Sequence, residues 1–151
     1  MFWGILLPNG MLFVKKVSGR VNSMEYQSIL YGFAVPAIRD IMDNDYNLPQ
    51  DNCSVHIAQS KMDYFENRGI DVLNWPSRSP DLSIMENAWS MLSNLVYDGP
   101  QPRNMKELEN RIEKAVMDLN LSCSDKLIKL FDSMPVRIAR IIEKKGNKIP
   151  Y

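Results

Sequence analysis

Residues 70–75, Ile-Asp-Val-Leu-Asn-Trp, alternate in the manner of a half-buried strand, and Pro76 and Pro80 stop the run. Just upstream, Ala58, Met62 and Phe65 mark one face of a helix that Gly69 should end. Before that helix, Leu48-Pro49-Gln50-Asp51-Asn52 reads as a short strand finishing at Asp51. Strand, helix and strand in this order form a crossover unit, whose two strands lie parallel. This unit constrains the chain most, because it places Asp51 at the C-terminal end of a strand, where open α/β sheets carry their functional groups.

The flanking segments fit the same class. FWGILL at 2–7 and MLFVKKV at 11–17 surround a Pro8-Asn9-Gly10 turn, which predicts an antiparallel hairpin. Asn22 and Glu25 resemble a capping box, and Tyr26, Ile29, Leu30, Phe33, Ile38 and Ile41 recur at helical spacing. They predict a helix over roughly 23–43, kinked at Pro36. After the proline-rich loop come three helices. The first spans about 82–96, and the second, about 104–119, has Met105, Leu108, Ile112 and Val116 as its buried stripe. The third, about 124–145, carries Leu127, Leu130, Phe131, Ile138, Ile141 and Ile142, with Pro135 in its middle and Gly146 at its end. The expected class is α/β, with a helical C-terminal region.

With 151 residues and 45% apolar content, one ordinary domain covering residues 1–151 is expected. Lys plus Arg equals Asp plus Glu at 18 each, so any field directed at a polyanion must be local. From Val136 onward Arg137, Arg140, Lys144, Lys145 and Lys148 face only Glu143. That cluster suits DNA contact, and it equally suits the negative end of a helix. Cys53 and Cys123 are far apart and support neither a disulfide framework nor a zinc site, which fits a reducing compartment. MFWGILL lacks a basic lead and runs into the Pro-Asn-Gly turn, so it reads as strand rather than signal peptide. No run approaches the roughly 18–20 apolar residues that would cross a bilayer.

Two carboxylates stand out. Asp51 and Glu86 are separated by 34 residues, positions 52 to 85, and a helix starting just before Glu86 can project its side chain over the sheet edge. Paired there, they would offer hard oxygen ligands to Mg²⁺ or Mn²⁺. Each also has a structural reading. Ser83-Ile84-Met85-Glu86 is a capping-box sequence, in which Ser83 and Glu86 would satisfy each other's backbone N–H. Asp51-Asn52 also suits an ordinary turn, and His56, the only histidine, suits a packed or capping role.

Several segments taken together resemble the mariner-like (Tc-type) transposases, whose catalytic domain is a DDE endonuclease of RNase H-like fold. They are Gln50-Asp51-Asn52-Cys53-Ser54-Val55-His56, Gly69 through Pro76, Ser79-Pro80-Asp81-Leu82 with Glu86-Asn87-Ala88-Trp89, and Ser133-Met134-Pro135-Val136-Arg137-Ile138. The resemblance runs from Trp3-Gly4 to the final lysines. It implies a mixed sheet flanked by helices and two-metal cleavage and integration of DNA in the nucleus. On this reading Asp51 and Glu86 hold Mg²⁺ or Mn²⁺, and Asn52, His56 and Asn87 support the ligands or position the substrate. Arg137, Arg140, Lys144 and Lys145 would then contact DNA, with transposon ends as the nucleic-acid partner and a second copy or an intact transposase as the protein partner.

The chain departs from the family at informative places. The family's first aspartate lies on a strand upstream of the segment matched by Met1-Phe2-Trp3-Gly4. The acidic residues before Asp51 are Glu25, Asp40, Asp43 and Asp45, none of them placed to replace it. The DNA-binding helix-turn-helix segments of the family have no counterpart here. Ser83, Ile84 and Met85 stand where Asn-Pro-Ile is usual. The expectation is an incomplete RNase H-like fold without its central first strand, unable to catalyse efficiently alone. Its remaining strands would either close up directly or leave a marginal remnant, since an unpaired buried backbone group costs roughly 1–3 kcal/mol.

Overall fold

The computed structural model describes residues 1–17, 19, 23–42, 47–49, 71–73, 75, 76 and 79–149. The protein is a mixed α/β chain of two compact units, one comprising Met1 and Val17–Arg78, the other Phe2–Lys16 and Ser79–Tyr151.

In the first unit, α1 (Ser23–Ile29) and α2 (Val35–Met42) are joined by a π-helical segment, Leu30–Ala34, in place of the predicted kink. Pro36 lacks an N–H, and its ring would crowd the carbonyl four residues back in a regular α-helix. The ladder widens just before it, and the Val35 N–H bonds the Leu30 carbonyl, five residues back. The extra residue explains why Ile29 with Leu30, and Ala34 with Val35, are buried as adjacent pairs alongside Tyr26 and Ile38. The crossover reading holds for its strands: β3 (Asn47–Pro49) pairs parallel with β4 (Asp71–Leu73), Leu48 opposite Val72. The helix predicted between them lies outside the described residues.

The second unit opens with the expected antiparallel hairpin of β1 (Phe2–Leu6) and β2 (Leu12–Lys16), in register from Phe2 opposite Lys16 to Leu6 opposite Leu12. In the turn, Gly10 donates to the Leu7 carbonyl at 2.9 Å, and the Met11 N–H donates to Asn9 Oδ1 at 3.1 Å. Gly10 has φ +80°, and a Cβ there would fall 2.6 Å from the Ser124 carbonyl oxygen, so this position demands glycine twice over. The described strands thus form two two-stranded sheets, with antiparallel pairing in one and parallel pairing in the other, where one mixed sheet was expected.

Against the hairpin pack α3 (Ile84–Val96), α4 (Met105–Ser122) and α5 (Ser124–Asp132), followed by α6 (Met134–Glu143). Leu6, Leu12, Ala88, Leu92, Val96, Ala115, Leu119 and Leu127 form the core. Leu108, Ile112 and Val116 flank it as predicted, but Met105 is 55% exposed and Ala115 and Leu119 are the deeper positions on α4. Asn120 holds the edge of β2: its Oδ1 accepts from the Leu12 N–H at 2.9 Å and its Nδ2 donates to the Leu12 carbonyl at 3.0 Å.

The predicted last helix is two helices. Ser133 separates them and Pro135 sits in the first turn of α6, where its missing N–H needs no partner. The restart shifts the helical phase, so Ile138 and Ile142 are 46% and 72% exposed instead of continuing the α5 stripe. No helix among the described residues is long and apolar enough to cross a membrane.

The start of α4 is closed by two side-chain caps. Asn104 Oδ1 accepts from the Glu107 N–H at 2.9 Å, and Glu107 Oε2 accepts from the Arg103 N–H at 2.8 Å. Arg111 Nη2 donates to Glu107 Oε1 at 2.7 Å, and its Nη1 donates to the Pro100 carbonyl at 2.6 Å and, at 3.4 Å, to the Val96 carbonyl closing α3. The Arg103 N–H first, then Arg111, hold the Glu107 carboxyl below the ordinary carboxylate range.

Two predictions follow from these contacts. Gly10→Ala should lower the free energy of urea unfolding by roughly 1–3 kcal/mol through backbone strain, with the clash against Ser124 adding to it. Glu107 binds its proton less tightly when folded, so its stabilisation is full above the unfolded pKa and lost as pH falls through the lowered folded value. Glu107→Gln should therefore flatten the acid side of a stability-against-pH curve, converging with the wild type at its acid end.

Candidate active site

The Ser-Pro-Asp-Leu segment folds into a turn that delivers the chain to α3. The Leu82 N–H donates to the Ser79 carbonyl at 3.2 Å and the Ser83 N–H to the Pro80 carbonyl at 3.0 Å, with Asp81 and Leu82 buried. Ser83 is the N-cap residue in extended conformation, and Glu86 stands in the first helical turn.

The reciprocal cap read from Ser83 and Glu86 is not made. The Ser83 side chain makes no capping bond, and the Glu86 N–H donates instead to the Ser83 backbone carbonyl at 3.2 Å. Glu86 is exposed, and its carboxylate accepts no hydrogen bond among the described residues. Its charge sits at the positive end of the helix dipole. The structural competitor for this side chain is thus removed.

One turn beyond Glu86, Trp89 packs against β1 at Gly4. A Cβ on Gly4 would fall 2.8 Å from Trp89 Cζ2, 3.0 Å from Cη2 and 3.3 Å from Met85 Cε. Absence of a side chain at position 4 therefore lets the helix carrying Glu86 settle on the strand. A glycine inside a strand is the sequence signal for such close approach, and the sequence reading did not connect it with Trp89. Beside the indole, a shallow groove of about 260 Å³ is lined by Phe2, Trp89, Leu92, Val96, Leu108 and Ile112 among others, without a carboxylate or histidine in its wall.

Asp51, Asn52 and His56 lie outside the described residues; β3, on which Asp51 was expected, is described as far as Pro49. Among the described residues no group of three or more His, Cys, Asp or Glu side chains could hold a metal ion. Of the two ligands expected from the sequence, Glu86 alone is among the described residues, and its carboxylate offers oxygens of the hard type that Mg²⁺ and Mn²⁺ take.

The basic cluster divides. Arg140, Lys144 and Lys145 are exposed, as expected of a surface that meets a polyanion, and Lys148 joins them. Lys145 and Gly146 turn the chain with positive φ of 53° and 82° at the end of α6. Arg137 is corrected: it is only 8% exposed, and its guanidinium is spent inside the protein. Nη1 donates to the Asp81 carbonyl at 3.0 Å, Nη2 to Asn87 Oδ1 at 2.9 Å, and Nε to Ser133 Oγ at 2.9 Å. A buried cation needs several acceptors to offset its lost hydration, and the turn, α3 and the α5–α6 junction each supply one.

The pattern of the DDE superfamily endonucleases matches residues 2–109, and the chain belongs to that family. Along its whole length it is 34% identical to the Tc3 transposase of Caenorhabditis elegans, covering 45% of that protein. It is 27% identical to the Tc1 transposase of the same nematode and 26% identical to the Tcb2 transposase of Caenorhabditis briggsae, covering 54% of each. The chain thus spans about half the length of these curated relatives. The resemblance to Tc-type transposases drawn from the motifs is borne out.

The Trp89 contact yields a further expectation. Gly4→Ala should cost about 1–3 kcal/mol of stability through overpacking and should alter the near-ultraviolet circular dichroism of the displaced indole; an unchanged spectrum would count against the packing described.

Proposed function

We propose that these residues form the larger part of a transposase catalytic domain of RNase H-like fold, acting on DNA by phosphoryl transfer in the nucleus. The observation that carries this reading is Glu86: an exposed carboxylate, free of the capping bonds its sequence suggested, at the start of a helix seated on β1. Asp51 and Glu86 are the residues that would hold Mg²⁺ or Mn²⁺. When bound, such ions activate water or a 3′-hydroxyl and stabilise the leaving oxygen at a scissile phosphate.

The protein's own contribution at Glu86 is to present the carboxylate from a fixed helix start. Glu86 is carried by α3, whose first turns are fixed by Trp89 against Gly4. Asn52 and His56 are the residues we assign to orienting Asp51 or the substrate. The 151 residues offer two of the three acidic ligands of the family, so we expect no efficient DNA cleavage from them alone. Incubation of the purified chain with supercoiled plasmid and Mg²⁺ or Mn²⁺ should leave the plasmid intact. Nicking that vanishes in both Asp51→Ala and Glu86→Ala would overturn this expectation while supporting the assignment of the two carboxylates.

A second reading is favoured by the exposed Arg140, Lys144, Lys145 and Lys148: DNA binding, or pairing with an intact transposase, without catalysis. Each phosphate contact adds about 0.9 to the slope of log K against log salt. Replacing Arg140, Lys144 and Lys145 together by alanine should weaken duplex binding and reduce that slope by roughly two to three. Asp51→Ala should leave binding unchanged on this reading.

A further inference from the structure

We propose that Arg137 is a positioning residue for Glu86, clamping the start of α3 from behind so that the carboxylate is held at a fixed place; this rests on Glu86 being a catalytic ligand. Two of the acceptors of Arg137 bracket Glu86 in the chain. Asp81 supplies its carbonyl from the turn just before α3, and Asn87 supplies Oδ1 from the residue just after Glu86. The third, Ser133 Oγ, itself donates to the Leu130 carbonyl at 2.6 Å, which fixes the α5–α6 junction as the base of the clamp. The same turn is held from another side, where Asp81 Oδ2 accepts from the Ile149 N–H at 3.3 Å.

The clamp matters because Glu86 has no anchor of its own among the described residues. Its direction is set by the backbone of the first turn of α3, and the usual device for fixing a helix start, a bond from the N-cap side chain, is missing at Ser83. Arg137 takes over that task from a distance in sequence. Three nitrogens of one planar group serve three separate segments, a geometry that a lysine ammonium on a flexible stem does not reproduce. Arg137 therefore acts through shape, and keeping its charge alone is not enough.

The test uses the 151-residue chain and Mn²⁺ as probe. Trp89 stands one turn from Glu86, so Mn²⁺ at that carboxylate should broaden the Trp89 indole N–H resonance selectively. Glu86→Gln should abolish the effect. Arg137→Lys and Asn87→Ala should raise the Mn²⁺ concentration for half-broadening by about 10–100-fold, the usual range for lost supporting contacts around a metal ligand. Thermal unfolding is followed alongside, because a merely structural role lowers the melting temperature and leaves the half-broadening concentration of the folded protein unchanged. If Arg137→Lys does not fold, Asn87→Ala, which spares the bonds to Asp81 and Ser133, decides the matter. Wild-type Mn²⁺ response in a folded Arg137→Lys or Asn87→Ala protein overturns the positioning role and leaves Glu86 as ligand. Absence of selective broadening in the wild type, or its survival in Glu86→Gln, overturns both.

Discussion

The indole of Trp89 resting on Gly4 is the contact from which the hairpin-bearing unit is organised. It brings a helix and a strand closer than any side chain at position 4 would permit. Ala88, Leu92 and Val96 on the same helix then reach the core shared with Leu6 and Leu12 of the hairpin and with Leu119 and Leu127 beyond. Burial of such side chains contributes roughly 1.5–3 kcal/mol each for the larger ones, so the placement of α3 is dictated mainly by apolar packing. The polar groups decorate a helix whose position is already chosen.

They nevertheless fix its two ends. Arg137 reaches the turn before α3 and Asn87 in its first turn, while Arg111 reaches the Val96 carbonyl at its last residue. An arginine fork suits both tasks, since a helix end leaves several backbone groups without partners and one guanidinium can serve more than one acceptor. Between these clamps the Glu86 side chain makes no bond among the described residues. If Glu86 takes the metal role proposed for it, it has no bond to break among the described residues.

Local patterns made much of this architecture legible in the sequence. The Pro-Asn-Gly turn between two apolar runs announced the hairpin, the strand-helix-strand order announced the parallel pair, and the periodicity of 104–119 announced α4. What escaped depended on tertiary context. Pro36 suggested a kink, but the ladder absorbed it by widening; Pro135 stood in the middle of what read as one helix, but it opened a new one and so reset which residues face inward. Ser83-x-x-Glu86 has the letters of a capping box, yet its reciprocal bonds do not form, whereas the Asn104 side chain does cap the Glu107 N–H. Arg137 looked like one more surface cation in a basic run, because charge is visible in a sequence and burial is not. The pairing of Gly4 with Trp89 was equally hidden, being a contact between two motifs more than eighty positions apart.

The amide of Asn120 has a consequence for how this protein can grow. An antiparallel hairpin has two open borders, each a template onto which another strand can add, whether from the same chain or from a neighbour. Asn120 answers both backbone groups of Leu12 as a neighbouring strand would. That border of β2 is closed at its first residue by a helix that cannot itself be extended into sheet. A strand adding at this border of the hairpin, in folding or in assembly, would first have to displace the Asn120 amide from Leu12.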